Sequence, residues 1–396
     1  MKKIVCVLHG ITDKPLQDLG GLTPLQKANT HHLDMLAQRG KCLSVTPPNF
    51  GGFETALLSL LGVDDELESI AQGPLEAYSM GYVLTPDQIA FSLRFVSIGQ
   101  GVVVDVSDSL LSGHEGKLFC KDLNVALGSL GCHFLYLNGS RAVLVSEHPA
   151  IRAALDQPYC NPMKAVGKTW KSLLPGKANA ELRELLEKVF AILEKHEVNE
   201  LKFDLEERPA NGLILYNGGK KPVLDPSEKF LDYSRVLLHT TSPVSLGIGR
   251  LLKIETMKLA PEKRKYEHLI NLLGKLDEIF LEKDTLVIEV DHLWNSTYKG
   301  ELLEKVKGIE WLDRYVIKHL MHYCTFNNCQ LTVLPLRNTE ISTAELLPGN
   351  VPAVVYSQDQ KENNTLVFEE KMLEKISQNV PLRELLQESV EMQEAG

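Results

Sequence analysis

His9 and Asp13 follow the short apolar run Ile4 to Leu8, and Asp291 and His292 follow a second run, Thr285 to Val290. Imidazoles and carboxylates just past strand ends are the side chains from which metal sites and acid–base pairs are built. In an open α/β sheet, sites form beyond the carboxyl ends of the strands. The other strand ends are poorer: Leu336 and Arg337 follow Gln330 to Leu334, and Ser357 follows Ala353 to Tyr356. Each pair also has a plainer reading. His9 reads equally as a hydrogen-bonded structural histidine. Asp291 and His292 are neighbours that point to opposite faces, as in a solvated turn.

Other motifs are less specific. Gly247-Ile248-Gly249-Arg250 is half of a phosphate-binding glycine loop, without its third glycine. Gly51-Gly52 ahead of Phe53-Glu54 could let a backbone turn approach a ligand closely, or be a plain loop before an apolar helix. His31 and His32 are adjacent on a helix, about 100° apart, which does not suit a metal pair. The seven cysteines are scattered and contain no CxxC pair, which argues against a zinc ribbon or a disulfide framework. Free thiols suit a reducing cytoplasm.

The elements that would position these residues alternate. Short strands are expected at Ile4–Leu8, Gly101–Val106, Gly212–Tyr216, Val236–His239, Thr285–Val290, Gln330–Leu334 and Ala353–Tyr356. Helices are expected at about Pro24–Arg39, Ala180–His196, 261–281, 299–322 and 367–378. This alternation predicts an α/β fold, a mostly parallel sheet with helices on both faces. Residues 107–170 read differently, with a helix near 115–128 and strands at 132–138 and 142–146. They form an inserted α+β cap in a core of 1–106 and 171–378, with an acidic, frayed tail at 379–396. A chain of 396 residues with a formal charge of −10 has no basic excess for a nucleic-acid partner. No run approaches the roughly eighteen apolar residues that a membrane span needs. An acidic cytoplasmic protein is expected.

The stretch Leu19-Gly20-Gly21-Leu22-Thr23-Pro24-Leu25, with Thr30 and Leu33-Asp34, resembles the opening of the archaeal-type cofactor-independent phosphoglycerate mutases. The match continues through Leu58-Ser59-Leu60-Leu61-Gly62, Gly73-Pro74-Leu75-Glu76-Ala77 and Ala90-Phe91. It reappears at Pro209-Ala210-Asn211, Gly247-Ile248-Gly249, Lys305-Val306-Lys307 and Val351-Pro352, in the family's order along most of the chain. The resemblance implies an alkaline phosphatase-like core. It also implies a serine nucleophile between two divalent metals, manganese or zinc, held by Asp and His from strand-end loops.

Carried over slot by slot, that set is altered. The leading Asp of the first loop is His9, with Asp13 following, and the nucleophile slot in Gly52-Phe53-Glu54 holds Phe53. The later Asp and His slots hold Trp294 and Tyr298 in a gapless register, or Asp291 and Asn295 in a shifted one. The Asp-His pair falls near Leu336 and Arg337, and the last His near Leu346. Where the family places substrate-clamping arginines stand Val106, Ser107 and Asp108. Phe, Trp and Leu supply no metal-binding oxygen or imidazole nitrogen, and Arg337 adds charge of the wrong sign.

The resemblance thus implies a mutase-like protein with no metal cofactor and no catalytic nucleophile. Such a chain would bind or scaffold a protein or small-molecule ligand. The competing reading is an active isomerase of 2- and 3-phosphoglycerate, or another phosphate-ester enzyme, with a site rebuilt from His9, Asp13, Glu54, Asp291 and His292.

Overall fold

The computed structural model describes residues 1–63, 67–156, 161–173, 180–224, 231–257, 266–359 and 365–386. The chain divides into two compact units, Met1–Glu68 with Leu224–Gly396, and Ser69–Val223.

The larger unit is built on an eight-stranded sheet. Its central strand, Lys2–Leu8, lies parallel to Thr285–Val290 on one side and Cys329–Leu334 on the other. Both neighbours are buried throughout, and Ile4 to Leu8, a continuous apolar run, have no exposed surface, as strands covered on both faces require. Val236–His239 and Glu255–Thr256 extend the parallel part. On the other side, Val351–Tyr356 runs antiparallel to Cys329–Leu334, and Lys41–Thr46 pairs antiparallel with Val351–Tyr356. The sheet is therefore mostly parallel, as expected, with an antiparallel strand within it.

Helical expectations change in detail. Of 261–281, residues 261–265 lie outside the described residues and the rest is two helices, Glu267–Leu273 and Leu276–Glu282, while 367–378 holds only the 3-10 helix Glu370–Lys375. The helix expected over Pro24–Arg39 is two, Pro24–Lys27 and His31–Arg39. The long helix expected at 299–322 is Leu302–Leu312 and Lys318–Phe326, joined by a π-helical turn at Asp313–Ile317. The Asp313 carboxylate accepts the backbone N–H groups of His32 at 3.0 Å and Leu33 at 2.8 Å. It also bonds His32 Nδ1 at 2.8 Å. Two otherwise unpaired amides at the start of the His31–Arg39 helix are satisfied this way.

The smaller unit is centred on Ile89–Gly99, a strand absent from the sequence reading. Arg141–Ser146 and Gly212–Lys220 pair antiparallel with it on either side, and Cys132–Asn138 pairs with Arg141–Ser146. The helices Gly113–Leu127 and Ala180–Glu194 contribute Phe119, Leu123, Leu185 and Val189 to its core. The expected cap of 107–170 is thus part of a wider unit. Ile89–Gly99 and Gly212–Lys220, both assigned to the core from sequence, complete its sheet by hydrogen bonding.

The expected frayed tail is also corrected. Asn379–Pro381 pairs in parallel with Lys41–Thr46, and Val380, Leu382, Leu385 and Leu386 are buried. Residues 387–396 lie outside the described residues. Among the described residues no helix is long and apolar enough to cross a membrane.

Candidate functional site

The central strand delivers His9 one residue past its end, where its N–H donates to Val290 O at 3.0 Å. Gly10 follows with φ of +84°. A Cβ there would lie 2.6 Å from the Trp294 backbone nitrogen, so only glycine lets the loop pass this closely. The parallel register sets Val7 beside Glu289, and the Glu289 carboxylate reaches His9 Nε2 at 2.8 Å. Both side chains are buried. His9 Nδ1 and the second oxygen of Glu289 are buried without a hydrogen-bond partner.

Aromatic rings close over this pair. Phe53 opens the helix Phe53–Leu60, and its ring centroid lies 4.2 Å from that of His9. Trp294 meets Phe53 edge-on at 5.2 Å, and Tyr298, one turn further along the same helix, lies 5.9 Å from Trp294. His9, Phe53, Trp294 and Tyr298, dispersed in sequence, are thus gathered in one chain of ring contacts.

Arg337 is buried, and its guanidinium binds the loop ahead of Phe53. It donates to the carbonyls of Pro48 and Phe50, to Gly52 O at 3.4 Å and to Thr55 Oγ1 at 3.2 Å. Burial lowers its pKa, and the nearby Glu54 carboxylate opposes that shift. Glu54 folds back to accept the Gly52 N–H at 2.9 Å. Leu336 is core, and Leu346 is half-buried in the short hairpin Asn338–Glu340/Glu345–Leu347, opposite Thr339.

Asp13 does not join His9. It forms an ion pair with Lys305 at 2.5 Å, and neither side chain has exposed surface. The Asp13 carboxylate also accepts the Ile341 N–H at 3.1 Å, and Asp13 N–H donates to Glu370 at 2.9 Å. Burial pulls the Lys305 ammonium below its usual pKa, and Asp13 pulls it back. Lys305 entered the sequence reading only as part of a matching block. The fold gives it a structural partner instead.

Asp291 and His292 are half-buried, not a solvated turn. Asp291 accepts from Thr241 Oγ1 at 2.8 Å. The His292 ring stacks on His268 at 5.4 Å, and His268 Nδ1 lies 2.8 Å from His239 Nε2. Burial, and then His268, depress the His239 pKa to about 3, so the imidazole is neutral.

Sequence reading missed Glu289, His239 and His268. Glu289 left a signal, being the one charge inside the run Thr285–Val290, and His239 ends the apolar run Val236–His239 in the same way. His268 lies inside a helix and carried none. Among the described residues no group of three or more His, Cys, Asp or Glu side chains is placed to hold a metal ion.

A mostly parallel sheet with helices on both faces and strand-end loops carrying the polar residues defines an α/β fold. This fold is shared with the cofactor-independent phosphoglycerate mutase from Thermoplasma acidophilum, at a TM-score of 0.58 and 22% identity over all of both chains. It is also shared with a Pyrococcus horikoshii protein, at a TM-score of 0.74 and 20% identity over 98% of this chain and 95% of the other.

The sequence profile described as 2,3-bisphosphoglycerate-independent phosphoglycerate mutase matches residues 37–199. The enzyme of that name from Methanosarcina barkeri is 26% identical, with 95% of each chain covered. Its counterpart from Thermococcus kodakarensis is 29% identical over 81% of this chain and 80% of its own. Along most of its length the chain is thus similar to the archaeal-type 2,3-bisphosphoglycerate-independent phosphoglycerate mutases.

Proposed function

We propose that this chain has no mutase activity and works by binding a protein or small-molecule ligand. The observation that carries this reading is Phe53, seated between the rings of His9 and Trp294 at 4.2 and 5.2 Å in the slot of the family's nucleophile. A phenyl ring offers no lone pair to attack phosphorus, and aromatic packing replaces the polar surroundings that would lower a serine's pKa.

The residues present do not fit two divalent ions. His9 and Glu289 are two donors already bonded to each other. Trp294, Tyr298, Leu336 and Leu346 add no carboxylate or imidazole, and the Arg337 guanidinium is a fixed positive charge bound to backbone carbonyls. His9 with Glu289 can still orient a hydrogen-bonding group or exchange a proton, which suits ligand recognition. The cysteines described as free thiols agree with the cytoplasm as its compartment.

A coupled assay for 2-phosphoglycerate formation, with manganese or zinc added and with metal analysis of the refolded protein, tests this. The expected result is no turnover and no stoichiometric metal. Metal-dependent turnover would establish the active-enzyme reading and overturn this one.

A further inference from the structure

The helix Glu197–Asp204 in the smaller unit is held firmly on one side and bare on the other. His196 caps its start, accepting the Val198 N–H through Nδ1 at 3.2 Å while Nε2 meets Asp122 at 3.2 Å. Asn199 donates to Leu193 O and Ala210 O and accepts the Ala210 N–H at 2.8 Å. Lys202 is buried between Glu115 and Glu207, 3.2 Å from each. A helix anchored in this way does not expose its outer face for want of packing partners.

That outer face carries Glu197, Glu200 and Asp204, and exposed apolar side chains flank it, Leu201 on one side and Phe203, two residues on, on the other. Leu201 is 59% exposed, Phe203 78% and, in the turn that follows, Leu205 61%. Phe203 forms one wall of a cleft of about 490 Å³, with Pro209 and the carboxylates of Glu194, Glu200 and Asp204 also lining it. The cleft's two amides, Asn199 and Asn211, are already committed to backbone groups. What remains to recognise a partner is the aromatic ring and the acids.

The charge around it has one sign. Glu194, Glu197, Glu200, Asp204 and Glu206 face solvent, with Lys195 the exposed base among them. The other bases of the segment are drawn away, Lys202 inward and Arg208 to Asp105 at 2.9 Å.

We propose that this face is a docking surface for a basic, amphipathic segment of a partner protein. Its Lys or Arg residues would meet the carboxylates and the Phe203 ring, and its apolar side chains would cover Phe203 and Pro209 along the cleft. A second copy of this chain is the wrong occupant. A two-fold contact through this face sets acid against acid, on a chain of net charge −10. The surface shares no residue with the strand-end site, so its fate and that of the reading above are separable.

The probe is a fluorescein-labelled helical peptide of Leu and Lys, about 18 residues long, with Leu at i, i+3, i+4 and i+7. Anisotropy is read against the full chain, with the Glu-for-Lys peptide as its acidic counterpart. Saturable binding of the basic peptide is expected, weakened about tenfold or more by Phe203→Ser with Leu205→Ser, and likewise by Glu200→Lys with Asp204→Lys. All four positions are exposed, so melting curves should match the wild type. Leu281→Ser, at an 82% exposed leucine of the larger unit, should change nothing. Unchanged affinity in both double variants, equal loss in Leu281→Ser, or equal binding of the acidic peptide would overturn the proposal. So would a sedimenting dimer that Leu205→Glu dissolves, since it would make a second copy the occupant.

Discussion

Two buried polar centres, one in each unit, are assembled on opposite terms. In the smaller unit Glu76 uses both carboxylate oxygens. One accepts from Ser92 Oγ at 2.7 Å and the other from the Arg141 guanidinium. Arg94 stands directly across the strand pair from Arg141, a like-charge neighbour that would destabilise the sheet alone. Asp108 compensates by accepting from Arg94 at 2.9 Å, which leaves Arg94 Nε as this centre's one buried atom without a partner among the described residues. In the larger unit the strand-end groups are left incomplete: His9 Nδ1, Glu289 Oε2, Thr12 Oγ1 and His239 Nδ1 are all buried without a partner. An unsatisfied buried atom costs free energy, so such a set persists where something besides stability keeps it. The smaller unit's centre is built to hold a sheet together. The larger unit's leaves open the groups that the proposed ligand would use.

The largest effect should come from the one complete element beside the strand-end site. Lys305→Met leaves Asp13 buried and unpaired and should cost about 3–5 kcal/mol. Adding Asp13→Asn should recover part of that loss, as chemical denaturation of the single and double variants will show. Equal losses in both would mean that the pair is not coupled.

Glu76→Gln probes the other centre. Arg141 loses its anion, and because the guanidinium is 23% exposed, water makes up part of the difference. A loss of about 1–3 kcal/mol is expected, with the Ser92 bond retained. A cost as large as that of Lys305→Met would erase the contrast drawn here.

The smallest effect is one of slope. His239 has its pKa depressed from the ordinary histidine value of 6.5 to about 3. Between those values the unfolded chain binds a proton that the native chain refuses, so stability falls as pH falls through that window. It is fully present above about 6.5, and below about 3 nothing more is lost. The contribution is at most about 1.4 kcal/mol per pH unit. His239→Gln, which does not titrate, should flatten the stability profile over that range.

How much of this was legible in the sequence varied with the physics. Buried parallel strands announce themselves: Val236–His239 and Thr285–Val290 fall where their apolar runs end. Ile89–Gly99 was missed although Ile89, Phe91, Leu93 and Phe95 alternate, because Ser92 and Arg94 on the other face serve a buried polar centre that no run of hydrophobicity signals. At the site, Phe53 and Trp294, both named from the family slots, lie in ring contact. What the slots could not supply were new partners. Glu289 reaches His9 only through the register of two strands far apart in the chain. Lys305 finds Asp13 across a similar separation.

The order in which the chain is made sets a constraint of its own. Lys2–Leu8 is the centre of the large sheet, yet its neighbours Thr285–Val290 and Cys329–Leu334 are translated about 280 to 330 residues after it. Ser69–Val223 has its sheet complete long before then. The apolar run Ile4–Leu8 must therefore wait, unpaired, while those residues are made, the state in which nascent chains aggregate or recruit chaperones. For this protein the hazard of misassembly is concentrated at that strand and lasts until Thr285–Val290 and Cys329–Leu334 emerge.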